Sequence, residues 1–349
     1  MTKRITTETR REDVYTRVTN RIVEQLKQGV RPWTKSWSGG DAAGIAVPRR
    51  ANGKAYRGVN VLILWMEAMA HGYTARSWMT YRQAAELGGQ VRKGEKGTMV
   101  VFTSTVTKAE TDHDGEAVER QIRFLKTYHV FNAQQIEGLP APFYTPTAMP
   151  EPTTAPRRIE HAERFFANLG ADIRHGGSRA FYALQPDFVQ MPPFESFRDG
   201  ESYYTTLGHE CVHWTRHRSR LDRDFGRQRW DDAGYAREEL VAELGASFLA
   251  ADLGLYLEPR KDHAAYVADW LTVLRNDRRA IFVAAAHAQR AVDYLHRQQP
   301  TADRESAARI WKRRREHRPL RTTSRSSSIF PINHPNLDRA GALGGERQP

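Results

Sequence analysis

The chain has 349 residues, and a hydrophobic content of 40% with 10% aromatic residues is enough for packed cores in two domains. Its apolar runs stay short of the roughly 18 residues of a membrane helix and its N-terminus lacks a hydrophobic segment, so we expect neither a membrane span nor secretion. The single cysteine, Cys211, fits a reducing cytoplasm, and the net charge of +12 predicts a polyanionic partner.

The first part of the chain, residues 1–138, predicts an α+β domain. Its first apolar residues recur every four positions, the spacing of one buried face of a helix; they are Val14, Val18, Ile22 and Leu26. In chain order the predicted elements are helices over 13–27, 60–70 and 80–87, then two paired strands over 98–107 and 120–131.

Aromatic and basic residues are interleaved in this domain. Bases of single-stranded DNA stack on aromatic rings while cations meet the phosphates, and each stack contributes about 1–3 kcal/mol. The predicted DNA-binding residues are Trp33, Lys35, Trp37, Arg49, Tyr56, Arg57, Lys93 and Lys96. For Trp33 and Trp37 a place in the core is an equal alternative, and Trp65, in an apolar run, is expected in the core. For the loop over 93–97, which holds Lys93 and Lys96, a plain hairpin connection is an equal alternative.

A proline-rich stretch, residues 139–158, follows this domain. It holds six of the 17 prolines and is predicted to be a linker. Beyond it we expect a second domain over 159–300, with a helix over 159–169, strands over 180–184 and 188–191, a helix over 234–255 and a helical pair over 262–298. The predicted fold class is therefore α+β with two domains.

The most specific motif is H-E-x-x-H, formed by His209, Glu210 and His213. On a helix the two histidines lie one turn apart on one face and can share a metal ion, with Glu210 beside it. A catalytic zinc site has three protein ligands and one open position, so a third ligand is needed.

The predicted helix over 234–255 offers two carboxylates four residues apart, Glu239 and Glu243. We assign Glu239 to the metal and Glu243 to a hydrogen bond with a liganding imidazole, and the reverse assignment stays open. Glu238 is rotated away from this face and is expected in solvent. His217 lies eight residues after His209, about 12 Å along a helix, which is too far to share the ion.

These residues together predict a zinc-dependent peptidase. Zn²⁺, or another divalent ion, lowers the pKa of bound water from about 15.7 toward 7, and Glu210 would take the proton and pass it to the leaving amine. Tyr235, Arg237 or another group that the sequence does not identify could stabilise the oxyanion, and the sequence does not choose among them.

Residues 301–349 form a basic tail with eleven Lys or Arg and five Asp or Glu, which is half of the net charge. Its composition predicts disorder. A solvated terminus and a non-specific contact with nucleic acid are equal alternatives for it.

Longer stretches resemble the ArdC-type antirestriction proteins of conjugative plasmids and other mobile elements. The matching words include GVRPWTKSW, ANGKAYRGVN and SWMTYRQAAELGGQVRKGEKGT in the first half, and YYTTLGHECVHWTRHRSRLDR and YAREELVAELGASFLAADLG in the second. The resemblance covers about residues 12–298. It implies a single-stranded-DNA-binding domain, also found at the front of TraC-type primases, followed by a zincin-type metallopeptidase domain.

The same resemblance implies a protein that enters a new host with transferred DNA and protects that DNA from restriction endonucleases. It implies zinc ligands at His209, His213 and an acidic residue of the segment EELVAE, with Glu210 as the catalytic carboxylate. Arg216 departs from the family's H-W-T-G-H, which has glycine there. This change bears on the helix end or the mouth of the cleft and leaves the ligands untouched.

Two other hypotheses stay open, a protective single-stranded-DNA-binding protein with a structural or vestigial metal site, and a plasmid primase accessory. Glu210 argues for hydrolysis, because a structural zinc site needs no carboxylate beside an open position. Under the leading hypothesis, DNA-bound host proteins such as restriction enzymes are candidate substrates, because a linker would hold the peptidase close to DNA.

Overall fold

Helix α1 spans Val14–Lys27 in a computed structural model that describes residues 13–34, 46–111, 117–146, 157–226, 233–255 and 264–300. Asp13 caps it by accepting a hydrogen bond from the Thr16 backbone N–H at 3.1 Å. The four-residue repeat predicted this helix, and three of its members, Val18, Ile22 and Leu26, are buried.

Two further helices of the first half are confirmed, α2 at Val59–His71 and α3 at Tyr81–Glu86. Gly72 ends α2 in the left-handed conformation, at φ 68°. The strands are β1 Arg49–Arg50, β2 Ser77–Met79, β3 Gln90–Val91, β4 Thr98–Thr111, β5 Ala117–Asn132 and β6 Ile136–Glu137. A four-stranded sheet has the order β1-β2-β5-β4, and β3 pairs with β6.

Strands β4 and β5 form one long antiparallel hairpin, whose register runs from Thr98 opposite Val130 to Thr111 opposite Ala117. Both strands were predicted, and at 14 and 16 residues they are longer than expected. Asn60 of α2 bonds to the N–H and the carbonyl of Val101, each at 2.8 Å, and so covers the edge of β4 near its start.

In its described residues, the second half combines a small sheet with five helices. The elements are α4 Glu160–Ala167, β7 Asp172–His175, β8 Phe181–Ala183, β9 Phe188–Met191, α5 Gly200–Trp214, α6 Ala233–Leu253, α7 Ala264–Asn276 and α8 Ala280–Arg297. The sheet order is β7-β9-β8. Only β7 was not predicted, since two of its four residues are charged. Within the described ranges, no helix is long and apolar enough to cross a membrane.

The two halves share one hydrophobic core, whose buried residues come from α1 and α2 as well as from α5, α6, α7 and α8. Trp65 of α2 packs against Phe248 of α6 with ring centroids 5.8 Å apart. Across the same boundary, Thr19 Oγ1 donates to the Arg278 carbonyl at 2.8 Å. The halves therefore fold against each other, which differs from the expectation of modules joined by a linker alone.

The start of the expected linker folds onto the first domain. Leu139 is buried, and Ala141–Phe143 forms a short 3-10 helix. The Tyr144 hydroxyl donates to the Ile136 carbonyl at 2.8 Å and accepts from the Leu139 N–H at 3.0 Å. Residues 147–156 of the stretch, like the basic tail at 301–349, lie outside the described residues.

Candidate metal centre

Helix α5 presents the two histidines of the motif on one face. Asp199 caps the helix, accepting from the Ser202 N–H at 2.7 Å. Two turns and a half later, His209 and His213 lie one turn apart, and their Nε2 atoms are 3.2 Å from each other.

Helix α6 brings a carboxylate to the same point. Glu239 Oε2 lies 3.5 Å from His209 Nε2, and Glu239 Oε1 lies 3.5 Å from His213 Nε2. The three candidate ligand atoms all fall within 4.8 Å of one another. Close packing of α6 on α5 makes this possible, because a Cβ on Gly245 would lie only 2.7 Å from Cγ2 of Val212.

The chemistry of these donors fits a divalent metal ion. Two imidazole nitrogens and one carboxylate oxygen form the ligand set of a catalytic zinc-type site. Their residues are nearly inaccessible to water, at 7%, 9% and 8% exposure for His209, His213 and Glu239. Burial opposes ionisation of Glu239, but the two imidazoles outweigh it and hold the pKa of this carboxyl far below its usual range.

Glu238 is the clearest correction to the sequence-based prediction, which placed it in solvent. It is 2% exposed, and its Oε1 lies 3.0 Å from His213 Nδ1. Arg223 donates to both of its oxygens at 2.7 Å. Burial raises the pKa of Glu238, yet the bonds from Arg223 and His213 lower it to about 2. A carboxylate here fixes the orientation of the imidazole, so that Nε2 points to the metal position.

Glu243, one turn after Glu239, lies next to the other histidine. Its Oε2 is 3.8 Å from His209 Nδ1, close enough for an ion pair and too long for a direct hydrogen bond. Its Oε1 accepts from Trp33 Nε1 at 3.3 Å and from Arg31 Nη1 at 3.4 Å. The geometry thus keeps Glu239 nearer to the two Nε2 atoms and Glu243 behind His209.

The remaining residues of the predicted mechanism have different surroundings. Glu210 is buried in α5, at 5% exposure. Burial and the Glu239 charge raise the pKa of Tyr235, whose hydroxyl lies 3.3 Å from that of Tyr266. Arg237 instead faces Asp277, at 3.4 Å. Of the two oxyanion candidates, Tyr235 is therefore the one electrostatically coupled to the site.

The segment after α5 carries the departure from the family pattern. Arg216 does not need the left-handed conformation that favours glycine, since Asp187 and Asp222 are the non-glycine residues with positive φ in the described ranges. His217 bonds to the Ser219 hydroxyl at 2.7 Å through Nδ1 and lies outside the cluster of candidate ligands.

Two aromatic residues predicted to stack on DNA bases are in the core, which corrects that prediction. Trp33 is 0% exposed and packs edge to face on Trp270 with centroids 5.7 Å apart. Tyr56 is 7% exposed and its hydroxyl donates to the Trp78 carbonyl. Neither ring has a free face for a base. The local sequence hides this because Trp270 lies more than two hundred residues away.

The basic residues predicted to contact DNA divide into three groups. Lys93 and Lys96 are exposed. Arg57 forms an ion pair with Asp293, and Arg49 donates to the Gly53 carbonyl at 2.8 Å. Lys35 lies outside the described residues, and so does the predicted DNA-binding tryptophan Trp37.

An exposed aromatic pair on the hairpin was missed. Phe102 and Tyr128 are 47% and 45% exposed, and their rings meet edge to face at 6.3 Å. Lys126 stands directly opposite Phe102 in the strand register and is also exposed. The signal in the sequence was Lys126 two residues before Tyr128, whereas Phe102 has no basic residue within two positions.

Two family profiles match the chain. The profile of the N-terminal domain of anti-restriction factor ArdC matches residues 12–131, and the profile of zincin-like metallopeptidases matches residues 160–287. The second match contains all three candidate ligands and Glu210.

Relatives with known sequences cover most of the chain. The uncharacterized protein y4eC of Sinorhizobium fredii (strain NBRC 101917 / NGR234) is 47% identical over 297 residues, which is 84% of this chain and 94% of that protein. Two proteins of Escherichia coli named DNA primase TraC are 40% and 37% identical over 80% of this chain. The alignment spans only 26% and 19% of the two primases.

Two crystal structures of the antirestriction protein ArdC from plasmid R388 are similar in fold. The metal-free form matches with a TM-score of 0.70 and the Mn(II)-bound form with a TM-score of 0.67. In both cases the identity is 44%, and the match covers 82% of this chain and 98% of the other.

Proposed function

Because this chain belongs to the ArdC family of antirestriction proteins, we propose that it protects incoming plasmid DNA from host restriction. In this proposal the protein binds single-stranded DNA and carries a metal-dependent peptidase site. The observation that carries the enzymatic part is the convergence of His209, His213 and Glu239 within 4.8 Å, on a helix that also holds Glu210.

The proposed site holds Zn²⁺ or another divalent ion on these three residues. A bound ion would supply Lewis acidity, polarising the scissile carbonyl and lowering the pKa of water toward about 7. Glu210 then accepts a proton from water and delivers it to the leaving amine, and the hydroxyl of Tyr235 can donate to the oxyanion. The Mn(II)-bound structure of the R388 protein supports a divalent ion without choosing zinc.

The candidate peptidase substrates are DNA-bound host proteins such as restriction enzymes. A peptidase that shares a folded core with a DNA-binding half would meet proteins on the same DNA at raised local concentration. The single buried cysteine supports the prediction of a reducing, cytoplasmic setting.

For the DNA-binding part, the exposed residues of the first half are the useful candidates. Lys93 and Lys96 can meet phosphates, and the exposed rings of Phe102 and Tyr128 can stack on bases. These rings replace the buried Trp33 and Tyr56 in the proposal.

Binding of a fluorescent oligothymidine tests this surface. Phe102→Ala and Tyr128→Ala should each weaken binding about 5- to 150-fold, the equivalent of roughly 1–3 kcal/mol per lost stack. Val106→Ala is the matched control, because Val106 is an exposed apolar residue of the same hairpin, at 52% exposure, without an aromatic ring. Wild-type affinity in both aromatic variants would remove the hairpin from the DNA-binding surface.

Protection of unmodified plasmid DNA during conjugation into a restricting host tests the whole proposal. Glu210→Ala should lose protection while still binding metal and DNA, because only the proton transfer is removed. Glu201→Gln is the control, a buried glutamate in the first turn of the same helix. If Glu210→Ala protects as well as wild type and no cleavage of DNA-bound protein is seen, protection rests on DNA binding alone.

The primase relatives do not extend the proposal to primer synthesis. The chain spans about a quarter and a fifth of the length of the two TraC proteins. A role as a primase accessory stays an alternative for the shared part.

A further inference from the structure

The carboxylate behind His209 is held from the other half of the chain. Glu243 Oε1 accepts the indole N–H of Trp33 at 3.3 Å and a guanidinium N–H of Arg31 at 3.4 Å. Arg31 and Trp33 follow α1, more than two hundred residues before Glu243 and outside the stretch that matches the zincin-like profile.

These contacts are buried. The side chains of Arg31 and Glu243 are 12% and 6% exposed, and Trp33 is 0% exposed. A buried carboxylate is held in place by hydrogen-bond donors and positive charge beside it, and here Trp33 supplies an N–H donor while Arg31 supplies a donor and a charge. Trp33 is itself fixed by its packing on Trp270 of α7.

Glu243 in turn lies on the side of His209 away from the metal position, 3.8 Å from Nδ1. A carboxylate that faces the far nitrogen of a liganding imidazole at ion-pair distance orients the ring by its charge, and loss of such outer partners typically weakens metal binding about 10- to 100-fold. Glu243 can do this only if its own carboxylate is kept in place.

We propose that Arg31 and Trp33 are positioning residues of the metal centre, so that the N-terminal half of the chain completes the site built by the zincin-like half. The proposal rests on the metal site of the proposed function. It gives Trp33 a role in orienting Glu243 and His209 in place of the predicted role in base stacking.

The test is the affinity of the full-length protein for Mn²⁺ and Zn²⁺, measured by competition with a chelating dye. Trp33→Phe keeps a buried ring and removes the N–H donor, and Arg31→Gln removes the charge. We expect each variant to bind metal several-fold more weakly, and the double variant at least about tenfold more weakly. With Co²⁺ bound, the variants should also show altered visible absorption, since the geometry of the ligands changes.

Two control variants remove similar groups, a buried indole and an arginine that joins the two halves, but within the described part of the chain neither residue contacts Glu243 or the candidate ligands. Trp65→Phe removes another buried indole of the same half, whose N–H donates to the Ala46 carbonyl at 2.9 Å and whose ring packs on the second half. Arg278→Gln removes an ion pair with Asp13 that also joins the two halves. Both controls should keep the wild-type metal affinity and the wild-type rise in Tm on adding metal.

The outcomes separate the inference from the function on which it rests. If wild type binds no divalent ion, the proposed metal site itself is wrong. If wild type binds and Glu239→Gln does not, but Trp33→Phe and Arg31→Gln bind like wild type, the positioning role is wrong. If the controls weaken metal binding as much as the two test variants, the effect comes from general loosening of the interface between the halves, and the inference also fails.

Discussion

Two charged residues next to His213, Glu238 and Arg223, form an ion pair inside the protein. Glu238 and Arg223 are 2% and 4% exposed, and Arg223 also donates to the Val212 carbonyl at 2.9 Å. An ion pair this deeply buried is tolerated only with good geometry, because both charges have left water. Through Glu238 the pair is in direct contact with His213, 3.0 Å from Nδ1, so it bears on the orientation of that imidazole.

Replacing Glu238 by glutamine should weaken metal binding about 10- to 100-fold, because the amide holds the imidazole less firmly than the carboxylate. It should also lower stability by about 3–5 kcal/mol, since Arg223 loses its buried partner. Metal affinity by dye competition and Tm without metal measure the two effects. The control is Glu201→Gln, a buried glutamate of α5 away from the ligands. Normal affinity with a lowered Tm would make Glu238 a residue of the core only.

Metal binding should strengthen as the pH rises. Burial alone lowers the pKa of His213, but Glu239 and Glu238 outweigh it and raise that pKa to about 10 in the metal-free protein. At pH 6–8 the imidazole is then protonated, whereas a ligand must be neutral, so each bound ion displaces one proton. The pKa of Glu239 is lowered, so this carboxyl adds no proton in that range.

Apparent affinity should therefore rise about tenfold per pH unit between pH 6 and 8, with about one proton released per ion. Calorimetry in buffers of different ionisation enthalpy measures the proton count. The sign for stability is opposite: protonated His213 stabilises the metal-free fold fully below its unfolded pKa, and this contribution is lost as pH rises toward 10. Affinity independent of pH would mean that His213 is neutral before metal binds.

At the scale of elements, the site depends on how closely α5 and α6 pack. Gly245 of α6 faces Val212 of α5, and added carbon there would lie 2.7 Å from Val212 Cγ2. Val212 directly precedes His213 in α5, and Gly245 follows Glu239 by six residues in α6. Helices α5 and α6 can approach this closely because Gly245 has no Cβ at the contact with Val212.

Gly245→Ala should destabilise the protein by about 1–3 kcal/mol and weaken metal binding, because the helices are forced apart. In the double variant, Val212→Ala should restore part of the stability and part of the metal affinity, because the smaller side chain leaves space for the Cβ of residue 245. Gly208→Ala is the matched control, since its Cβ would meet Leu249 at an ordinary 3.5 Å. Urea unfolding and metal titration give the two quantities, and an unaffected Gly245→Ala variant would show that α6 can shift without harm.

At the scale of the molecule, the shared core couples the two halves. Buried residues of α1 and α2 pack with those of α7 and α8 in one cluster. A metal ion bound by the second half should therefore stabilise the first, since a ligand that binds only the folded state shifts the whole cooperative unit.

Hydrogen exchange with and without Mn²⁺ measures this coupling. Amides of α1 and α2 should exchange more slowly when metal is bound, together with those of α5 and α6. In urea, tryptophan fluorescence and far-UV circular dichroism should report one transition at a common midpoint. Protection confined to the second half, or two separate transitions, would show that the halves unfold independently.

Local patterns in the sequence determined much of this protein. Four-residue spacing predicted α1, because a helix buries one face with a fixed period, and the sequence also predicted β4 and β5 as a pair of strands. The H-E-x-x-H motif put His209 and His213 one turn apart because the helix fixes that distance, whereas the sequence left both Glu239 and Glu243 open as the third ligand.

Tertiary structure alone decided which side chains surround those residues. Glu238 is adjacent to Glu239 in sequence, yet its carboxylate contacts His213. Arg223, from the loop after α5, holds it there by donating hydrogen bonds. Trp33 looked like a DNA-binding residue because its neighbours in sequence are basic, whereas its neighbours in space are Glu243 and Trp270. Local sequence patterns show the period of a helix or strand and the spacing within a motif. They do not show which residues two hundred positions apart, such as Trp33 and Glu243, come into contact, because packing of the shared core decides that.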